Sequence, residues 1–218
     1  MNHNDIVRQS FKKQAEKFVA YHMSKVEYTD YLIQKIAATG EEHALEVAAG
    51  TCICGRALAP YVKDITCLDM TEEMLAQGIR LAEESHIENI YFQSGNAEKL
   101  PYEPETFDLV ITRLSFHHFD NPEKPFEEMK RVLKKGGKMV VWDMEAAEEP
   151  LREIDDKIEN MRDPSHTRIL SREEFEEMFK KDFALQCEET TLVPVNLKSW
   201  MELTDTSEDV QEEITNLM

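Results

Sequence analysis

The chain has 218 residues, with 25 Lys and Arg against 44 Asp and Glu for a formal charge of −19, and four cysteines. No apolar run approaches the ~18–20 residues of a membrane span, and the negative charge repels phosphate backbones, so a spanning protein or a generic nucleic-acid binder is excluded. One domain of this length buries a core without staples, and Cys52, Cys54, Cys67 and Cys187 follow neither a CxxC pairing nor a secreted pattern; with no secretory signal before the first helix, a reduced, cytoplasmic protein is expected.

Residues 4–38 read as two helices, with Ile6, Phe11, Ala15 and Phe18 and then Tyr28, Tyr31, Leu32 and Ile36 as apolar positions. From about residue 43 short β-branched runs alternate with segments of helical period, the pattern of an α/β fold with a parallel sheet. The predicted strands are 44–48, 65–68, 90–92, 109–112 and 138–142. Thr71 is the expected cap of the helix that follows the second strand, with Met74, Leu75, Ile79 and Ala82 as its buried stripe. Asn121 and Pro122 predict a helix start, Phe126, Met129, Val132 and Leu133 share its inner face, and Gly136 and Gly137 follow its last turn.

Beyond the fifth strand a polar helical stretch runs from about Glu148 to Arg162, followed by a turn at Asp163-Pro164-Ser165-His166. Ser171 and Glu174 form an S-x-x-E capping box ahead of Phe175, Met178 and Phe179. Residues 183–194 read as a sixth strand, then Leu197, Trp200, Met201 and Leu203 begin a helix, and Thr206 or Ser207 caps a last one carrying Val210, Ile214 and Leu217. Residues 143–218 hold 22 acidic and 8 basic side chains, so most of the net charge lies in this last third, where runs such as Glu173, Glu174, Glu176 and Glu177 read as solvated helix faces.

The chemistry concentrates in Ala44-Leu45-Glu46-Val47-Ala48-Ala49-Gly50-Thr51-Cys52, an apolar strand with an acid that passes into a small-residue loop, and in Asp69, 19 residues beyond Gly50 at the end of the second strand. A carboxylate there can accept from both hydroxyls of a ribose. The G-x-G-x-x-G of dinucleotide sites is absent, so a nucleoside without a pyrophosphate fits better.

The loop resembles the first motif of class I S-adenosylmethionine-dependent methyltransferases. Leu68 to Leu75, Gly95 to Tyr102, Phe107 to Val110 and Arg131 to Lys138 resemble that family's later motifs in order and spacing. The resemblance spans roughly 43–143. His117-His118-Phe119 followed by Asn121-Pro122 is similar to the small-molecule branch that methylates quinone precursors. It implies a Rossmann-like, doubly wound, mostly parallel sheet with helices on both faces, divided into an N-terminal helical cap (1–40), a cofactor core (41–145) and a region of lid insertion, sixth strand and acidic C-terminal helices (146–218).

By the same resemblance Glu46 orients the methionine amino group, Asp69 the ribose, Met70 one adenine face, Asn96 and the Ala97 amide the adenine edge, and Arg113 lies beside the cofactor. Ala48, Gly50 and Cys52 occupy the three glycine positions of the loop, so two of them carry a Cβ. The expected function is methyl transfer to a small-molecule acceptor. His118, then His117 and His166, are the candidate bases, and no metal is expected. The alternatives are a degenerate cofactor-binding relative that works by association and a nicotinamide-dependent oxidoreductase. The resemblance also implies one more antiparallel strand than residues 1–218 supply. That predicts a sheet edge or gap open to a second copy in a homodimer, and impaired activity.

Overall fold

The computed structural model describes residues 2–23 and 26–218; the side chains of 22–28 fall outside the description, and with them the predicted contribution of Tyr28. Five parallel strands form one sheet: β1 (His43–Val47), β2 (Asp64–Asp69), β3 (Ile90–Ser94), β4 (Phe107–Arg113) and β5 (Leu133–Trp142), in the order β3-β2-β1-β4-β5. Each predicted strand is present, most of them a residue or two longer at an end. The chain runs outward from β1 to β3 and then returns to the other side of β1 at β4. The carboxyl ends of β1 and β4 therefore flank a topological switch point, where loops diverge and leave a crevice.

The central strands β1, β2 and β4 are largely apolar because both of their faces are covered. On one face Ala44, Ile65, Cys67, Leu109 and Ile111 pack with Leu32, Ile33 and Ile36 of α2 (Val26–Ile36) and with Cys54 and Leu58 of α3 (Ile53–Leu58). On the other, Leu45, Val47, Leu68 and Val110 pack with Phe126, Met129 and Val132 of α5 (Glu123–Val132). Period-two alternation places Glu46 on the first face, among thiols.

Several local expectations are corrected. In α4 (Glu72–Glu84) the Thr71 side chain makes no capping bond; the Thr71 amide donates instead to Asp69 Oδ1 at 2.8 Å. Ile79 is exposed, and the buried stripe uses Gly78 and Leu81, because Gly78 leaves room for the Cys52 side chain. Helix α5 starts one residue later than predicted, with Asn121 Oδ1 accepting from the Glu123 amide at 3.2 Å. Leu133 already belongs to β5. Gly136 and Gly137 are therefore part of that strand, where the register shifts opposite Phe107 and Leu109. Gly136 has φ +79°, and a Cβ on Gly137 would stand 2.8 Å from the Asp108 carbonyl.

The largest correction concerns residues 183–194, which form no strand; all but Phe183 and Val193 are exposed. A β-branched run becomes a strand only where a neighbour offers its amides and carbonyls, and among the described residues none pairs with the outer edge of β5.

Of the remaining helices, α7 (Arg172–Phe179) packs on the α5 side of the sheet through Phe175 and Phe179, and the others lie around the carboxyl end. Helix α1 (His3–Met23) lies over the carboxyl end of the sheet. Behind it, Ile158 of α6 (Leu151–Arg162), Met201 of α8 (Leu197–Leu203) and Ile214 of α9 (Glu208–Leu217) form a small separate core, with Lys17 of α1 donating to the Glu202 carbonyl at 3.1 Å. Helix α7 opens with the predicted capping box: Ser171 Oγ accepts from the Glu174 amide, and the Ser171 amide donates to Glu174 Oε2 at 2.8 Å. No helix among the described residues is long and apolar enough to cross a membrane.

Candidate functional site

At the switch point lies a cleft of about 820 Å³, open solvent included. The β1–α3 loop, the end of β2, the loop after β3 and the end of β4 form its floor, and α1 forms its roof. Glu46, Ala48, Gly50, Asp69, Met70, Ala97, Arg113 and His118 line it. The structure therefore brings together eight of the twelve residues singled out from the sequence. Cys52, Asn96, His117 and His166 do not reach it, though Thr51, Ile53, Gly95 and Ala97 beside the first two do.

The loop takes an unusual path. Ala48, Gly50 and Cys52 have φ of 53°, 53° and 57°, so all three glycine-like positions are left-handed. Each non-glycine there costs about 1 kcal/mol. The path is held by Asp69: Oδ2 accepts from the Gly50 amide at 2.7 Å and Oδ1 from the Thr71 amide at 2.8 Å. Cys52 is accommodated because residue 78 has no side chain; a Cβ there would stand 2.7 Å from the Cys52 sulfur. Leu114, directly after Arg113, is also left-handed (φ 51°) and lines the cleft, a feature with no sequence signal.

Two buried acids face this loop. Glu46 is 2% exposed, and its Oε2 accepts from the Gly55 amide at 2.8 Å and from the Cys67 thiol at 3.4 Å. Burial outweighs those bonds and pushes its pKa up to about 7. Asp69 is raised by burial too, against the Thr71 and Gly50 amides. A carboxylate has roughly four acceptor positions, so each keeps capacity for a ligand. An ammonium would restore the charge that burial penalises at Glu46, and two hydroxyls suit Asp69. The donor set fits a cationic amino acid joined to a ribose. Asn96 is turned inward, its Oδ1 accepting from the Glu98 amide at 2.8 Å, so it shapes the loop under Ala97.

The roof side is apolar. Val7, Phe11 and Phe18 of α1, with Leu114 and Phe119, face the cleft, and His118 stands among them. The Phe11 ring meets His118 edge-on, with centroids 4.9 Å apart.

The three candidate histidines cluster: His117 and His118 ring centroids are 4.2 Å apart, His117 and His166 5.7 Å. Two of them pair with a carboxylate and the third with Ser165. His117 Nδ1 lies 2.5 Å from Asp143 Oδ1, and Asp143 also accepts from the amides of Ser115, Phe116 and Met144. Burial disfavours the His117 cation, but Asp143 prevails and raises its pKa. His166 Nε2 lies 3.0 Å from Asp156 Oδ1, and burial lowers its pKa. His118 Nδ1 lies 3.1 Å from both the carbonyl and the hydroxyl oxygens of Ser165, while burial and the charge on His117 hold its pKa below the usual histidine value, which favours the neutral ring at and above neutral pH. His117 and His166 each pair with a carboxylate and do not line the cleft. Ser165, which meets His118 from 47 residues away, and Asp163, which holds the Ser165 hydroxyl, were legible beforehand only as a turn.

A methyltransferase-domain family profile matches residues 45–141. An uncharacterised methyltransferase of Bacillus subtilis, YcgJ, is 33% identical over 185 residues, covering 84% of this chain and 73% of the relative. Its crystal structure superposes with a TM-score of 0.82 at 32% identity, over 87% of this chain and 82% of that one. The crystal structure of a putative methyltransferase from Bacillus halodurans gives 0.77 at 28% identity, over 88% and 82%. A demethylmenaquinone methyltransferase of Alkalihalophilus pseudofirmus is 35% identical over 102 residues, 45% of this chain and 43% of that protein.

Proposed function

The chain belongs to the class I S-adenosylmethionine-dependent methyltransferases, and from that premise we propose how its residues divide the work and what acceptor they fit. S-adenosylmethionine supplies an electrophilic methyl group. The nicotinamide alternative falls with the family assignment. Glu46 holds the ammonium of the methionine moiety, Asp69 the ribose hydroxyls, and Met70 and Ala97 the adenine; Arg113 closes the cofactor end of the cleft. Positioning of this kind contributes on the order of 7–11 kcal/mol in the best cases, so a site built mainly to align two molecules is sufficient.

The observation that carries the acceptor reading is the change of character across one cleft: buried acids and left-handed loop backbone at the ends of β1 and β2, and apolar Val7, Phe11 and Phe18 of α1 with Leu114 and Phe119 after β4. We read the second half as the seat of a small, largely apolar, ring-containing acceptor, with His118 as the base that takes a proton from its nucleophilic group. The part-length match to a demethylmenaquinone methyltransferase supports the same class. A cytoplasmic location, the division into cap (1–40), core (41–145) and lid region (146–218), and a homodimer through the outer edge of β5 belong to this reading.

Calorimetry with S-adenosylmethionine, followed by a mass-shift screen of phenolic, quinol-like and amine acceptors, tests it. Expected are saturable heat and a gain of one methyl on a phenolic or quinol-like acceptor; absence of binding at millimolar cofactor would sink it. A degenerate, non-catalytic relative is the second reading, favoured by the side chains at positions 48 and 52. Restoring glycine at both separates the two, because a competent loop gains little affinity.

A further inference from the structure

We infer that Asp163 is a positioning residue: acting through the Ser165 hydroxyl, it holds His118, which lines the cleft, in the tautomer that carries its proton on Nδ1 and leaves Nε2 bare. The inference rests on the proposed role of His118 as base.

The argument is a count of donors and acceptors. Asp163 is buried and accepts from four donors: Ser10 Oγ at 2.7 Å, Gln14 Nε2 at 3.0 Å, the Ser165 amide at 2.9 Å and Ser165 Oγ at 2.6 Å. A carboxylate can only accept, and a hydroxyl bond this short to a charged oxygen is of the stronger, charge-assisted kind. The single Ser165 hydroxyl proton is thus committed to Asp163, and what Ser165 Oγ presents to His118 Nδ1 is a lone pair. The Ser165 carbonyl, also 3.1 Å from Nδ1, presents another. Two acceptors converging on one ring nitrogen require that nitrogen to carry the proton. A neutral imidazole has only one, so Nε2 is bare.

The consequence is chemical. The bond between the acceptor and the methyl carbon forms as the methyl–sulfur bond breaks with its electron pair left on sulfur, and the acceptor's proton passes to Nε2. In the opposite tautomer Nε2 would present a hydrogen and could take nothing. The same carboxylate is gripped by Ser10 and Gln14 of α1, so the helix that roofs the cleft also sets the state of the base beneath it.

The test reads the tautomer directly, by two-bond proton–nitrogen correlation spectra of protein with nitrogen-15 histidine at neutral pH, the His118 signals being identified by their loss in His118→Gln. Expected for the native protein is a protonated, pyrrole-type Nδ1 and a bare, pyridine-type Nε2. In Asp163→Ala the freed hydroxyl can donate to Nδ1 in competition with the Ser165 carbonyl, so pyridine-type character appears at Nδ1 and both shifts move; in Asp163→Ala combined with Ser165→Ala, where only the carbonyl faces Nδ1, the pyridine-type signal returns to Nε2. If Asp163→Ala does not fold, Asp163→Asn keeps the shape, holds the hydroxyl less firmly and moves both shifts part of the way. A bare Nδ1 or an imidazolium in the native protein, or an unchanged spectrum in the folded Asp163 variants, overturns the inference. The base reading fails separately: His118→Gln would then leave transfer from labelled S-adenosylmethionine to a phenolic probe unchanged, whatever the native spectrum shows.

Discussion

Asp69 Oδ2 accepts a hydrogen bond from the Gly50 amide at 2.7 Å and so ties the end of β2 to the middle of the β1–α3 loop. The other oxygen holds the Thr71 amide, and one side chain therefore fixes both the loop and the start of α4. Asp69→Asn must present an amide NH₂ to one of these two donors. We expect a loss of about 1–3 kcal/mol, the cost of leaving a buried donor unpaired. S-adenosylmethionine affinity should fall by at least tenfold. Chemical denaturation and calorimetry on the same variant check both effects.

Glu46 gives a pH signature of its own. With a folded pKa near 7 against about 4.3 for a free glutamate, the native state binds the extra proton, so stability falls as pH rises from about 4 to 7. Glu46→Gln removes the penalty. It should raise the melting temperature at pH 8 and have little effect at pH 4.5, with a difference of about 4 kcal/mol at most. Cofactor binding runs the other way: wild-type affinity should rise several-fold from pH 6 to 7.5 as the carboxylate ionises, and that rise should vanish in Glu46→Gln.

The two side chains at glycine-like positions are predicted to behave differently. Ala48→Gly relieves a left-handed alanine and should stabilise the protein by up to about 1 kcal/mol, less the extra freedom glycine has when unfolded. Cys52→Gly relieves similar strain but empties the space over Gly78, so its net effect should be near zero or destabilising. Thermal melts of the single variants distinguish the two. A gain for Cys52→Gly as large as that for Ala48→Gly would contradict the packing argument.

The buried His117–Asp143 pair should hold the β4 end against β5. Asp143→Ala leaves His117 and three backbone amides without their acceptor and should cost about 3–5 kcal/mol near neutral pH. The His117 share, whose folded pKa is raised, is fully present below about pH 6.5 and is lost as pH rises through the folded value. The Asp143 share, with a lowered pKa, is present above about pH 4 and is lost as pH falls through its folded value. The wild-type advantage over Asp143→Ala should therefore be widest between those limits and shrink on the alkaline side without disappearing, since the amide bonds remain. Urea midpoints across that range decide it.

The sheet was legible because its signal is local: alternating β-branched runs, turn residues and a two-residue period that put Glu46 opposite Leu45 and Val47. What failed was choice among neighbours and pairing at a distance. Thr71 and Asp69 are both capping residue types two positions apart, and only the folded backbone decides that the aspartate reaches the amide. Gly136 and Gly137 suit a helix stop and a bulge equally well. Residues 183–194 have strand composition, but a ladder needs a partner that no local pattern reveals. The cofactor half of the cleft was readable because its residues sit at strand ends. The Ser165–His118 contact joins segments 47 residues apart.

The bare outer edge of β5 also gives the charge of −19 a colloidal meaning. An edge that no described residue pairs with is a template on which a second copy can add a strand, and like charge weakens that pairing. Repulsion of this kind is screened within about 10 Å at 0.1 M salt. Raising ionic strength should thus drive self-association that light scattering detects.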